Sequence, residues 1–170
     1  GADRVHLAWD AAAILHPDYN YSGFLIRRSD GDSTIIYKGF PTVFTDFTGI
    51  PEMNYDYQVF TFKQLPDCMV TSIAEEVNQT FPSVSPPSNL QWGNPSYSIS
   101  LQWNRPNDFE NIDGYGIFRQ NELIDSVASD VDKITVAAYH TLDKLYEVKS
   151  YRIIKGQHYY SSPIDRLTSP

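Results

Sequence analysis

Landmark residues recur at one spacing along this chain of 170 residues. Three pairs lie 91 positions apart: Gly23 and Gly114, Arg28 and Arg119, and Tyr55 and Tyr146. A fourth pair, Trp9 and Trp103, lies 94 positions apart, which predicts that the loop following this tryptophan is three residues longer in the first repeat. One offset that fits three landmarks indicates that a single fold occurs twice.

Short runs of alternating apolar and polar residues fill both repeats, and Gly, Pro, Asn, Asp and Ser bound them. Val5, Leu7 and Trp9 alternate with other residues in the first repeat, as do Leu101 and Trp103 in the second. A period of two is typical of strands with one buried face, and helix signals are almost absent. Because 41% of the residues are apolar, there is enough material for packed cores. We therefore expect an all-β protein.

One segment rich in proline and serine interrupts the strand pattern. It contains Pro82, Pro86 and Pro87, a composition typical of a short, semi-stiff linker. We predict a first domain at residues 1–81, a linker at 82–88 and a second domain at 89–170. The chain enters a strand pattern almost at once and ends in Leu-Thr-Ser-Pro, so we expect it to be a piece of a longer protein.

Several of these runs resemble the strands of fibronectin type III domains. In the second repeat, Pro-Pro-Ser-Asn-Leu (86–90), Ile-Ser-Leu-Gln-Trp (99–103), Asp-Gly-Tyr-Gly-Ile-Phe-Arg (113–119) and Asn-Glu-Leu-Ile (121–124) are similar to strands A, B, C and C′. In the first repeat, Val-His-Leu-Ala-Trp (5–9), Gly-Phe-Leu-Ile-Arg-Arg (23–28) and Tyr-Asp-Tyr-Gln-Val (55–59) are similar to strands B, C and F. The resemblance implies two tandem immunoglobulin-like β-sandwiches.

The resemblance also assigns individual roles. Trp9 and Trp103 are expected to be buried between the two sheets of their sandwiches. Tyr55 and Tyr146 are expected to form tyrosine corners, in which the hydroxyl bonds to nearby backbone at the start of strand F. Strand A of the first domain is absent or truncated, because only a few residues precede strand B.

Composition argues against several functional classes. The net charge is −8, and the 13 Lys and Arg residues are scattered, whereas a phosphate-binding surface needs them clustered. The longest apolar stretch, residues 11–15, is far too short to insert into a membrane. The one cysteine, Cys68, rules out an internal disulfide; it is expected to be a small, at least half-buried apolar residue.

Residues capable of catalysis or metal binding are present but not grouped. The four histidines are widely spaced: His6, His16, His140 and His158. Asp30 and Asp32 flank Gly31 in a predicted hairpin turn. The other acidic pairs lack the spaced ligands and closing Glu of a calcium loop. No nucleophile elbow or phosphate-binding Gly loop occurs. We therefore expect no enzyme activity, no cofactor and no metal.

The resemblance implies a spacer or adhesion role in a secreted, cell-surface or virion-surface protein. The expected partner is another protein or a neighbouring domain of the same chain, and nucleic acid is not expected. The alternative is a carbohydrate-binding or accessory module of a secreted hydrolase, for which aromatic residues in or near loops would stack on sugar rings. Those residues are Tyr19, Tyr21, Phe40, Phe109, Tyr159 and Tyr160.

Alternation along strands C and F predicts an outward sheet face with unusually large side chains. Its candidate residues are Leu25, Arg27, Phe60 and Phe62 in the first repeat and Phe118 and Tyr151 in the second. An apolar outward face can mark an interaction surface. Two alternatives remain open: a bulge that turns the phenylalanines inward, or packing of this face against other parts of the protein.

Overall fold

The computed structural model describes residues 4–10, 20–29, 33–93, 99–136 and 144–168. The contacts within the chain divide it into two compact units. The first unit runs from Arg4 to Pro82, and the second unit begins at Ser83. The described residues contain strands, turns and one short 3₁₀-helix at Phe109–Asn111, but no α-helix.

The described residues of the first unit form seven strands in two antiparallel sheets. They are β1 (Val5–Ala8), β2 (Gly23–Ser29), β3 (Ser33–Gly39), β4 (Val43–Asp46), β5 (Asn54–Gln64), β6 (Met69–Thr71) and β7 (Glu75–Thr80). One sheet pairs β1 with β4, and the other has the order β3-β2-β5, with β6 and β7 both paired to β5.

In the second unit, the described residues form eight strands with the same arrangement. They are β8 (Ser88–Trp92), β9 (Ile99–Asn104), β10 (Gly114–Arg119), β11 (Glu122–Ala128), β12 (Lys133–Val136), β13 (Leu145–Ile154), β14 (Gln157–Tyr160) and β15 (Arg166–Thr168). One sheet has the order β12-β9-β8, and the other has the order β11-β10-β13, with β14 and β15 both paired to β13.

These orders confirm the predicted fold class of two fibronectin type III-like β-sandwiches. In the strand names of that resemblance, the second unit has sheets E–B–A and C′–C–F–G, and the first has E–B and C′–C–F–G. Strand A of the first unit is absent from the described residues. Each sandwich buries the alternate residues of both sheets in one core.

The two tryptophans occupy equivalent positions but differ in burial. Trp103 is 2% exposed and packs edge-on against Tyr115, with ring centroids 5.3 Å apart. Trp9 packs edge-on against Phe24 at 5.5 Å, yet it is only half-buried. The second unit has strand β8, whose Leu90 belongs to the core around Trp103, and the first unit has no described counterpart of that strand.

The first predicted tyrosine corner is present. The backbone N–H of Ile50 donates a hydrogen bond to the Tyr55 hydroxyl over 2.8 Å. This ties the loop before β5 to the start of that strand, as the resemblance to the family implies. The residues at 137–143 that precede β13 lie outside the described residues, so the second corner stays a prediction.

The register corrects the equivalence drawn between Tyr55 and Tyr146. Arg28 pairs with Tyr57, whereas the matching Arg119 pairs with Tyr146. Tyr146 is therefore the counterpart of Tyr57, and the F strands of the two units are offset by two residues from the predicted spacing. The physical reason is that the connection between strands C and F is two residues shorter in the second unit.

The segment between the units is packed rather than solvated. Phe81 is fully buried in the first core and Val84 is 3% exposed in the second. The Ser85 hydroxyl donates to the Asp108 carboxylate over 2.7 Å, and Ser88 already pairs with Asn104. Part of the predicted linker at 82–88 thus belongs to the second unit.

Candidate interaction surface

The outward face of the first unit forms a second, smaller hydrophobic cluster. As alternation predicts, Leu25, Phe60 and Phe62 lie apart from the main core, which contains Tyr57 and Val59. Met69 and Ala74 pack against the three residues. Leu25 is fully buried, and the two phenylalanines are 7% and 4% exposed. The strand and loop after β5 therefore cover most of the surface of these three side chains.

Two cations also lie over the rings of this first outward cluster (Leu25, Phe60 and Phe62). The Arg27 guanidinium lies 5.0 Å from the centroid of Phe60, and the Lys38 ammonium lies 4.5 Å from that of Phe62. The Lys38 ammonium also donates to the Gln64 side-chain oxygen over 3.2 Å. A molecule that approaches this face would meet charged groups before apolar ones.

The outward face of the second unit remains more accessible. Phe118 and Tyr151 are half-buried, and they are joined by His158, which is exposed, and Tyr160, which is 37% exposed. These four residues form the second outward cluster. Ring centroids are 5.2 Å apart for Phe118 and Tyr160, 5.7 Å for Tyr151 and Tyr160, and 4.9 Å for Tyr151 and His158. Leu123 and Ile153, 47% and 46% exposed, lie on the neighbouring strands β11 and β13.

In each outward cluster, one aromatic ring lies over a glycine of strand C. A Cβ at Gly23 would lie 3.2 Å from the Phe62 ring, and a Cβ at Gly114 would lie 2.7 Å from the Tyr151 hydroxyl. The two pairs are equivalent, because Gly23 pairs with Phe62 and Gly114 with Tyr151. An aromatic ring laid over a strand glycine fills space that the glycine leaves open. Phe62 and Tyr151 therefore have a packing role.

The two units place a cation–π pair at the same positions with the partners exchanged. In the first unit, Arg27 of strand C lies over Phe60 of strand F. In the second unit, Phe118 occupies the matching place in strand C and Lys149 of strand F lies over it at 4.5 Å. The sheet face therefore accommodates the cation on strand C and the ring on strand F, or the reverse.

A buried carboxylate lies at the edge of the second cluster. Glu147 pairs directly with Phe118 across strands C and F and is 2% exposed. Its oxygens lie 2.7 Å from Arg166 Nε and 3.0 Å from Lys149 Nζ, although neither contact has the directionality of a hydrogen bond. The carboxylate is thus compensated by two cations, one of which also covers the Phe118 ring. Among the rings of the second outward cluster, burial raises the pKa of Tyr160, and the nearby Tyr151 raises it further.

A buried ion pair in the first core was not anticipated. Arg28 and Asp46 are 3% and 1% exposed and form a hydrogen-bonded salt bridge. The Tyr57 hydroxyl donates to the same carboxylate over 2.8 Å, and Thr48 donates to it through its N–H and its hydroxyl. The Tyr55 ring lies 4.6 Å from the guanidinium. Arg28 follows Phe24 and Ile26 in the inward alternation of β2, a signal that could have predicted a buried partner.

Ionisation in this network follows its hydrogen bonds. Burial by itself would raise the pKa of Asp46, but the bonds from Thr48, Arg28 and Tyr57 outweigh burial and hold that pKa below its usual value. Burial raises the pKa of Tyr57, and donation to the Asp46 carboxylate raises it further. The carboxylate is therefore charged and fully engaged, which makes the group a structural element of the core.

The described residues that were considered for catalysis or metal binding are dispersed. Within the described ranges, no three His, Cys, Asp or Glu residues are grouped closely enough to hold a metal ion. His6 bonds to the Thr45 hydroxyl over 2.9 Å. Cys68 is exposed, contrary to expectation, because it lies in the turn between β5 and β6. Several predicted residues lie outside the described part of the chain: His16, Tyr19, Asp30, Gly31, Asp32 and His140.

A depression of about 410 Å³ lies beside the end of β9. Its lining is largely polar and includes Gln102, Asn104, Arg105, Asn107, Phe109 and Asp132. The Arg105 guanidinium lies 4.5 Å from the Phe109 centroid and covers one face of that ring. Among the other loop aromatics, Tyr159 packs against the second core, whereas Phe40 is 73% exposed. Among the described loop aromatics, the most exposed rings are therefore those of Phe40 and Tyr160.

His158 and Tyr160 were missed as members of the predicted face. The signal was the period of two along β14, which places both residues on one side, opposite Ile153 and Tyr151 of β13.

Solved structures match this chain, whereas no protein-family profile and no curated protein does. Among solved structures, the FN1–FN3 domains of chicken CNTN1 match with 13% sequence identity and a TM-score of 0.37. The match covers 99% of this chain and 62% of that one, so the chain spans less than two thirds of the length of that structure. No helix in the described residues is long and apolar enough to cross a membrane.

Proposed function

We propose that this chain is a pair of non-catalytic structural and interaction modules from a larger secreted, cell-surface or virion-surface protein. The observation that carries the proposal is the second outward cluster with Leu123 and Ile153, an accessible apolar face on a rigid sheet. The partner that suits it is another protein or a neighbouring domain, because such a face is desolvated by contact with a complementary apolar surface. The assignment of a role to this fold rests on fold-level analogy.

The compensation of the buried charged side chains supports a structural role for these residues. Arg28 and Asp46 neutralise each other within the first core, and Glu147 is compensated by Lys149 and Arg166. Groups engaged in this way stabilise packing and are poorly placed to exchange protons with a substrate.

A binding screen tests the proposal. The purified chain is screened against a library of displayed extracellular protein domains, and hits are measured again with the double variant Leu123→Lys and Ile153→Lys. We expect loss of binding with an unchanged melting temperature, because both side chains are about half exposed. Ile164→Lys, at a residue 60% exposed in the loop between β14 and β15, is the control and should bind normally. Binding that survives the double variant, or turnover in a panel of hydrolase substrates, would contradict the proposal.

The second candidate function is carbohydrate binding, as an accessory module of a secreted hydrolase. It is favoured by the near-parallel rings of His158 and Tyr160, with centroids 6.0 Å apart and an angle of 14° between their planes. Accessible rings of this kind can stack on sugars. Pull-down on insoluble cellulose, chitin and xylan separates the candidates. Retention that is abolished by Tyr160→Ala would favour this second function over the first.

A further inference from the structure

In the described part of the first unit, the sheet that contains strand B has an open edge. In the second unit β9 lies between β12 and β8, whereas β1 pairs with β4 alone among the described residues. The second unit therefore shows, within the same chain, how this fold occupies the position beside strand B. The side of β1 opposite β4 is a row of backbone groups without a neighbouring strand in the described part of the first unit.

The hydrogen-bond pattern identifies the backbone groups at that edge. The Trp9 N–H donates to the Thr42 carbonyl over 3.1 Å, so Trp9 and, by alternation, Leu7 bond towards β4. His6 and Ala8 therefore direct their N–H and C=O groups to the open side. In the second unit the residue matching His6 is Ser100, and its carbonyl accepts the Gly93 N–H over 2.7 Å.

Among the described residues, this edge lacks the features that keep edge strands apart. Proteins protect such edges with lysine, proline, bulges or a covering segment. β1 reads Val-His-Leu-Ala, and its pairing with β4 has no register shift. The side chains of His6 and Ala8 are exposed, while Val5 and Leu7 are 6% exposed in the core.

A second copy of β1 complements this edge in one particular register. With two antiparallel β1 strands related by a two-fold axis at Leu7, His6 lies opposite Ala8 of the second copy. Both residues direct backbone groups to the open side, so the pair exchanges two hydrogen bonds, and symmetry doubles the number to four. In the same register Val5 lies opposite Trp9 of the second copy, so inward residues stay inward on both strands.

The charges that flank β1 fit the same register. Arg4 precedes the strand and Asp10 follows Trp9. The two-fold axis at Leu7 sets Arg4 opposite Asp10 of the second copy at both ends of the pairing. Each residue also has contacts within its own chain, such as Arg4 over the Phe47 ring at 5.1 Å, and the register adds to these contacts. Opposite charges across two strands stabilise the pairing, whereas like charges oppose it.

We propose that the open edge of β1 joins two copies of this chain into a symmetric dimer through a continuous four-stranded sheet. The interface is isologous, so each copy contributes the same residues. Its core is a strand pair of about seven residues, which makes the dimer weak and dependent on concentration. The proposal is independent of the function assigned to the outward face of the second unit.

Sedimentation equilibrium of the 170-residue chain, from about 1 µM to about 1 mM, measures the association. We expect Ala8→Pro to weaken dimerisation roughly five- to hundredfold, because each copy loses one edge-facing N–H while its bonds to β4 remain. Val43→Pro is the matched control. Val43 pairs with Ala8 and directs its own N–H to the far edge of β4, so this proline should leave dimerisation unchanged.

Mixing two charge variants tests the register itself. Arg4→Asp and Asp10→Arg each place like charges opposite one another, so each variant alone should dimerise roughly two- to thirtyfold more weakly. An equimolar mixture should form the heterodimer with an affinity close to that of the parent chain, because both charge pairs are then attractive. A defect in folding would not be repaired by mixing.

Three results would overturn the proposal. The first is a chain that stays monomeric up to the highest concentration, and the second is a dimer that Ala8→Pro leaves intact. The third is a version with additional natural residues before Gly1 that is monomeric while the 170-residue chain dimerises. That result would assign the edge to a strand of the same polypeptide.

Discussion

The last residue of strand E, which is β4 in the first unit and β12 in the second, differs in chemical character between the two units. Asp46 pairs with Val5 beside β1, and the matching Val136 pairs with Ile99 beside β9. Val136 is 6% exposed and simply packs, whereas Asp46 is 1% exposed and needs Arg28 as a partner. A buried ion pair of this kind is costly to break and much less costly to replace as a whole.

Removing one partner of this pair should therefore be worse than removing both. We expect Asp46→Val to lower the free energy of unfolding of the first unit by about 3–5 kcal/mol, because Arg28 is left buried and uncompensated. The double variant Arg28→Met with Asp46→Val should recover most of that loss. Urea unfolding of the parent chain, the two single variants and the double variant measures the coupling, and an additive double variant would show that the two residues are not coupled.

The same pair should make the first unit sensitive to acid. Because the folded pKa of Asp46 lies below the unfolded value, its contribution to stability is present above about pH 4 and is lost as the pH falls through the folded pKa. Unfolding measured at about pH 6 and about pH 2.5 should show this loss in the parent chain. The double variant serves as the reference, and an equal acid loss in both proteins would remove Asp46 as its source.

At the scale of elements, strand A distinguishes the two sandwiches. β8 brings Leu90 to the core around Trp103, and Trp92 packs edge-on against Tyr146 at 5.5 Å. No counterpart lies beside β1 in the described part of the first unit, and there Trp9 is half-buried.

The cost of removing each tryptophan should reflect this difference. We expect Trp103→Ala to destabilise the second unit by about 3–5 kcal/mol, as for a large side chain in a closed core. Trp9→Ala should cost the first unit clearly less, because part of its surface is already exposed to water. Hydrogen exchange of each unit in both variants gives the two values, and equal costs would mean that Trp9 is as well packed as Trp103.

At the scale of the whole molecule, the chain is two cores rather than one. Phe81 closes the first core and Val84, three residues later, belongs to the second. Each unit thus has its own set of buried residues and its own pair of sheets, as expected for domains that fold separately.

Each unit should consequently unfold as a cooperative body when produced alone. We expect fragments 4–82 and 83–168 to show single, sigmoidal urea transitions with dispersed amide signals in NMR spectra. Trimming Phe81 from the first fragment should abolish its transition, because that residue is fully buried there. A fragment that stays unfolded with Phe81 present would show that its core depends on the other unit.

The sequence alone was sufficient for the all-β class, the repeat, the strands around Trp9 and Trp103, and the tyrosine corner of Tyr55. These features depend on local period and spacing, which are readable along a chain. Tertiary structure decided the rest. It set the burial of Phe60 and Phe62, because a sheet has two faces and only folding shows which later segment covers the outer one. It also brought Asp46 to Arg28, since the two residues lie on strands of different sheets and no local pattern links them.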